Sequence, residues 1–124
     1  MRLTARLVAL ALVFAGGFGW AAISAEVGQK QVVAITLKGG KVHGQTEMSG
    51  GLPVVRVRRG QEVVLRWRSD IDMIVHLHGY DIETRVKPDH EAMTEFVARA
   101  AGRFPVERHA KFGHTTLLYL EVRP

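Results

Sequence analysis

A chain of 124 residues with 17 Lys and Arg, 12 Asp and Glu, 6 His and no Cys has material for one domain around a single apolar core. The lack of cysteine excludes a disulfide framework, a thiolate metal site and a lipid-anchored cysteine. The formal net charge is +5, and the imidazoles add to it as the pH falls through their usual titration range.

The chain opens on "MRLTARLVALALVFAGGFGWAAISA", in which Arg2 and Arg6 precede an uncharged run from Leu7 to Ala25 that ends in small residues. This is the pattern of a secretory signal, with cleavage after Ala25 or after Ser24. Its rival is an uncleaved anchor, because nineteen uncharged residues are just enough to span a bilayer. Removal of residues 1–25 would leave a domain over 26–124 with fifteen basic and twelve acidic residues, a net charge of +3. Either outcome implies a periplasmic or otherwise extracytoplasmic protein, membrane-anchored if the segment stays.

Beyond it, apolar and polar residues alternate with period two in short runs, the pattern of half-buried strands. The predicted strands are Gln31–Leu37, Val54–Arg58, Glu62–Arg68, Met73–His78, Ile82–Val86, Glu91–Ala98, Arg103–His109 and Thr116–Val122. "KGGK", "SGGLP", "RRGQ", "RSDID", "KPDH" and "RAAGR" supply the turns between them. Glu91–Ala101 has helix-favouring residues, but Thr94, Phe96 and Ala98 alternate, so it is read as a strand. Gly39–Gly51, which carries His43 and Met48, has no strand pattern and is read as a loop or bent strand. About eight short strands make a small all-β sandwich.

The alternation places Val55, Val57, Val63, Leu65, Trp67, Val75, Leu77, Phe104, Val106, Leu118, Leu120 and Val122 inward. It leaves Arg56, Arg58, Arg66 and Arg68 on the other face of two consecutive strands, with Arg59 just beyond. Such a stripe is either a solvated outer face or a docking surface for an acidic envelope protein or an anionic membrane. No aromatics interleave the arginines, which argues against nucleic acid.

His76 and His78 stand at i and i+2 on one strand, so both imidazoles leave the same face, roughly 6–7 Å apart at the backbone. Imidazoles so placed can converge on copper, zinc or nickel, with cupric ion bound most tightly, or can simply hydrogen-bond loops. "FPVERHAKFGH" adds Glu107 and His109 at i and i+2, with His114 five residues on. If the two strands lie side by side, His109 and His114 become third and fourth ligands at a pole of the sandwich. Glu107 is then a ligand or the partner of an imidazole N–H, unless it pairs with Arg108 or Lys111. His43 and Met48 are supporting candidates, Met48 as a soft ligand for Cu(I), and His90 in "KPDH" is an exposed turn residue.

From Val54 onward, "VVRVRRGQEVVLRWRSDIDMIVHLHGYD", "VKPDHEAMTEFVARAAGRFPVERH" and "LLYLEVRP" resemble the cupredoxin superfamily, in particular its bacterial periplasmic members without the blue-copper cysteine. The resemblance rests on "V-x-x-G-x-x-V" at Val57–Val63, the histidine ending the following strand, "G-x-F-x-V-E" at Gly102–Glu107 and "L-x-L-E-V" at Leu118–Val122. "HLHG" is similar to copper-ligating histidines of multicopper oxidases. The resemblance implies a Greek-key β-sandwich and a copper-binding role. In blue copper proteins the "G-x-F/Y" strand leads to cysteine, and counting from Gly102 puts Arg108 there, followed by His109. An arginine cannot supply the thiolate of a type 1 site, so the expectation is a non-blue copper site, a zinc site or no metal.

The expected function is metal binding for buffering or delivery. A metal-free interaction module docking through the basic face is the alternative. Catalysis is not expected, since there is no cysteine nucleophile, no convincing Ser–His–Asp arrangement and no second metal cluster, although a histidine-bound copper with an open position could engage oxygen.

Overall fold

The computed structural model describes residues 30–44, 47–110 and 113–124. The signal or anchor reading of residues 1–25 lies outside them. The described chain forms ten strands: β1 Gln31–Lys38, β2 Lys41–His43, β3 Glu47–Ser49, β4 Leu52–Arg58, β5 Glu62–Ser69, β6 Met73–Leu77, β7 Ile82–Val86, β8 Ala92–Val97, β9 Gly102–Ala110 and β10 Gly113–Arg123. The eight strands read from alternation are all present, with ends shifted by a few residues. Glu91–Ala98 is extended as expected. The two additional strands, β2 and β3, are three residues each and lie in the glycine-rich stretch 39–51.

The strands form two sheets, one of four in the order β2-β1-β5-β8 and one of six in the order β3-β4-β10-β9-β6-β7. The pairs β1–β5 and β4–β10 are parallel, and the remaining neighbours run antiparallel. Period-two alternation sends Ile35, Leu37, Val63, Leu65 and Trp67 from the smaller sheet inward. They meet Val55, Val57, Val75, Leu77, Val106, Leu118, Leu120 and Val122 from the larger one. Of the residues expected inside, Phe104 alone is only partly buried, packed against the edge of this core.

Trp67 is wholly buried, so its indole N–H needs a protein acceptor. Nε1 donates to Thr94 Oγ1 on β8 at 2.9 Å, and that hydroxyl is 2.6 Å from Thr84 Oγ1 on β7. The three side chains tie the two sheets together where β7 approaches β8. Thr94→Val keeps the volume but strands the indole N–H, and is expected to destabilise the domain by about 1–3 kcal/mol. Urea denaturation followed by far-UV circular dichroism measures it, and an unchanged midpoint would show that the bond contributes nothing.

The turn between β6 and β7 fixes the end of the strand that carries His76. Gly79 has φ of 80°, and a side chain there would strike the Phe104 ring. The Tyr80 ring lies 5.0 Å from that of Phe96 and 5.1 Å from that of Phe104, while the His78 amide donates to the Pro105 carbonyl at 3.0 Å. Both faces of this turn are therefore held, and the backbone at His78 is anchored to β9.

Candidate metal centre

The histidines meet through strand register. On β6, Met73, Val75 and Leu77 are buried, so Ile74, His76 and the following His78 face outward. Strand β9 lies antiparallel beside β6, with His76 opposite Glu107 and Ile74 opposite His109. On the far side of β6, Glu83 of β7 stands opposite His76, and on the far side of β9, His114 and Thr116 of β10 stand opposite His109 and Glu107. Four imidazoles thus gather on one patch of the outer face of the six-stranded sheet. This differs from the expected pole: the side chains project from the sheet's exposed face, because strand alternation had already committed the opposite face to the core.

The rings form a contiguous row. Centroids of His78 and His76 are 4.3 Å apart, those of His76 and His109 4.9 Å, and those of His109 and His114 4.4 Å. One ring nitrogen from each of His76, His78 and His109 lies within 4.8 Å of the others. His114 adjoins this trio without being part of it, its side chain 59% exposed against 14% for His76 and 25% for His109.

Each of the three central imidazoles has a carboxylate at one edge. Asp81 Oδ1 is 3.1 Å from His76 Nε2, Glu107 Oε2 is 2.8 Å from His78 Nε2, and Glu83 Oε1 is 3.5 Å from His109 Nδ1. A carboxylate hydrogen-bonded to one ring nitrogen, as at His76 and His78, holds the proton there and leaves the other nitrogen as a lone-pair donor, whereas Glu83 makes only a longer charge contact with His109. The other nitrogen of His76, Nδ1, and Nε2 of His109 are both buried with no hydrogen-bond partner among the described residues. A buried polar atom left unpaired costs stability, so a pair of them beside a third imidazole fits a site shaped for a ligand. Ligand nitrogens about 2.0–2.1 Å from an ion lie no more than about 4 Å from each other, so the trio needs ring rotations on the order of an ångström to close on one.

Asp81 and Glu83 were not singled out from the sequence. The signal for Glu83 was present in "HLHGYDIE": a tight hairpin through Gly79–Asp81 pairs Leu77 with Ile82 and therefore His76 with Glu83. Asp81 sits in that turn with φ of 54°.

Other expected site residues lie elsewhere. His43 is exposed on β2 of the four-stranded sheet, and Met48 is exposed on β3, separated from β9 by β4 and β10. His90 is exposed between β7 and β8. Arg108, opposite Val75 and Thr115, turns to the inward side of β9, and its guanidinium packs over Gly40, where any side chain would collide with it. The position counted as equivalent to the blue-copper cysteine therefore points away from His76 and His109. A thiolate there would leave on the other face of the sheet.

The arginine stripe does not form. Strands β4 and β5 are neighbours in sequence, but the turn between them crosses from one sheet to the other. Arg56 and Arg58 lie on the outside of the six-stranded sheet and Arg66 and Arg68 on the outside of the four-stranded one. Arg56 pairs with Glu47 and Glu121, whereas Arg66 and Arg68 share Glu91. A single basic docking face built from these four residues is therefore corrected to two separate surfaces, on which Arg56, Arg66 and Arg68 are ion-paired.

The hydrogen bond from Arg66, and then that from Arg68, holds the Glu91 carboxyl below the usual carboxylate range. A depressed folded-state pKa gives stability that is present above the unfolded value and lost as pH falls through the folded one. Glu91→Gln is accordingly expected to flatten the loss of stability below about pH 4.5, measured as the urea midpoint against pH. Identical acid profiles would contradict it.

No protein-family model and no curated protein matches the chain. Solved structures do match. Auracyanin A, a "blue" copper protein from Chloroflexus aurantiacus, superposes with a TM-score of 0.52 at 15% identity, over 77% of this chain and 100% of that one. The fold is that of the cupredoxins. A copper-binding protein solved in its apo form shares this cupredoxin fold, with a TM-score of 0.51 at 13% identity over 77% of this chain and 97% of that one. A chain of a heme-copper terminal oxidase dimer gives 0.56 at 15% identity, over 80% of this chain and 74% of that one. At these identities the likeness establishes the cupredoxin architecture, and the chemistry has to be argued from the side chains.

Proposed function

We propose that the protein is an extracytoplasmic cupredoxin-fold carrier that holds a copper(II) ion in a non-blue site and buffers or delivers it. The observation that carries this reading is the pair of buried, unpartnered imidazole nitrogens, His76 Nδ1 and His109 Nε2, beside His78. Three imidazoles backed by carboxylates favour a divalent first-row ion, and among these copper(II) is bound most tightly by a nitrogen site. The chain's own residues supply the rest. Asp81, Glu107 and Glu83 orient the rings, and Thr116 Oγ1, 3.5 Å from Glu107 Oε1, steadies the carboxylate beneath His78.

Auracyanin A, a "blue" copper protein, and the copper-binding protein solved in its apo form share this fold, which supports the choice of copper. Titration of tag-free protein with copper(II), and with zinc(II) in competition, tests the reading. Stoichiometric copper binding that zinc does not displace is expected, and no saturable copper binding would refute it.

Export belongs to the same proposal, because a carrier with an exposed site suits a compartment where free ions are encountered. Protein isolated from its native cell envelope is expected to begin at Ala25 or Glu26 on N-terminal sequencing. A start at Met1 in a cytoplasmic fraction would contradict it.

A further inference from the structure

His114 and Glu107 face each other on the outer face of the six-stranded sheet. His114 Nδ1 is 3.8 Å from Glu107 Oε2, too far for a hydrogen bond and close to the span of two ligand atoms about 2 Å on either side of one ion. The same Glu107 oxygen is 2.8 Å from His78 Nε2, and the His114 ring stands edge-on to His109 at 4.4 Å. His114 is the most exposed of the four imidazoles and Glu107, 20% exposed, is the carboxylate beneath them. The pair thus connects solvent to the inner trio by shared atoms.

We infer that His114 and Glu107 form a second, outer metal position through which the ion enters and leaves the inner site of His76, His78 and His109. The inference rests on reading that trio as a metal site. The outer pair captures a divalent ion first. Once it is held there, each inner imidazole competes with the departing chelator at a high local concentration rather than from bulk solution. The ion moves inward as Glu107 is exchanged for imidazole nitrogen, and the carboxylate returns to its place behind His78. A group that touches the ion only in transit lowers the barrier in both directions, so it changes the rates together.

The test is stopped-flow uptake of copper(II), presented as its bis-glycine complex, and release to a strong chelator, for the wild-type chain and for His114→Ala. The exposed position makes a folding defect in the variant easy to avoid, and circular dichroism checks it. Association and dissociation are both expected to slow by about tenfold, in the same proportion. Unchanged rates would overturn the inference, as would faster release with unchanged uptake, which would make His114 an equilibrium ligand. Failure of the wild-type chain to take up copper would instead remove the inner site itself, and the outer one with it.

Discussion

Alanine in place of both His76 and His78 is expected to abolish stoichiometric copper(II) binding while leaving the domain folded. The two imidazoles project from one face of β6, and with His109 they are the described histidines whose nitrogens converge within 4.8 Å. Loss of a single partner behind a metal-ligating histidine costs about 10–100-fold in affinity, so removal of two ligands must cost more than about a hundredfold. What would remain is His109 with the outer pair of His114 and Glu107, which lacks the inner trio and passes an ion on rather than holding it. The fold should survive because both side chains leave the outer face, opposite the buried Val75 and Leu77. The substitution also relieves the unpaired His76 Nδ1. Isothermal titration with copper(II), alongside circular dichroism of the same samples, reads both halves of the expectation. Binding that persists in the folded double variant would place the metal elsewhere.

Trp67→Ala should have the largest effect on stability. The indole is fully buried on the inner face of the four-stranded sheet, and its N–H is the donor in the buried link to Thr94 and Thr84. Truncation of a buried tryptophan costs about 3–5 kcal/mol, through lost transfer energy and the cavity left behind. A domain of this size holds about 5–15 kcal/mol in total, and without disulfides nothing compensates. At roughly 4–8 °C per kcal/mol for a domain of this size, the melting temperature should fall by tens of degrees or the transition should lose its cooperativity. A thermal melt within a few degrees of wild type would mean that Trp67 is not packed as described.

The fold was legible wherever side chains alternate. Val63, Leu65 and Trp67, or Val75 and Leu77, announce their burial by period two alone, and their strands fall where expected. The stretch Gly39–Gly51 was not legible, because β2 and β3 are three-residue strands among glycines, held by pairing to β1 and β4 rather than by a pattern of their own. Alternation also says which residues face outward without saying from which sheet. That is why Arg56 and Arg66, read as one stripe, stand on opposite sides of the sandwich.

The histidine cluster was partly legible for the same reason. The i, i+2 spacing put His76 with His78 and Glu107 with His109, but only the pairing of β6 with β9 brings the two pairs together. That pairing joins strands separated in sequence by β7 and β8. Spacing along a strand does not distinguish a pole of the sandwich from an exposed sheet face, and the patch lies on the outer face of the six-stranded sheet. The side chain of Arg108 faces the core side and the histidines face out, a difference of one residue in a strand of period two.

If His76, His78 and His109 hold copper(II) through nitrogen, as proposed, the spectrum of the bound ion should report it. Electron paramagnetic resonance of the protein isolated from its native envelope, paired with metal analysis of the same sample, tests it most directly. Bound copper is expected, with a type 2 spectrum that carries nitrogen couplings and without the intense visible colour of a thiolate site. A copper-free protein that also gives no bound signal when copper(II) is added would contradict it.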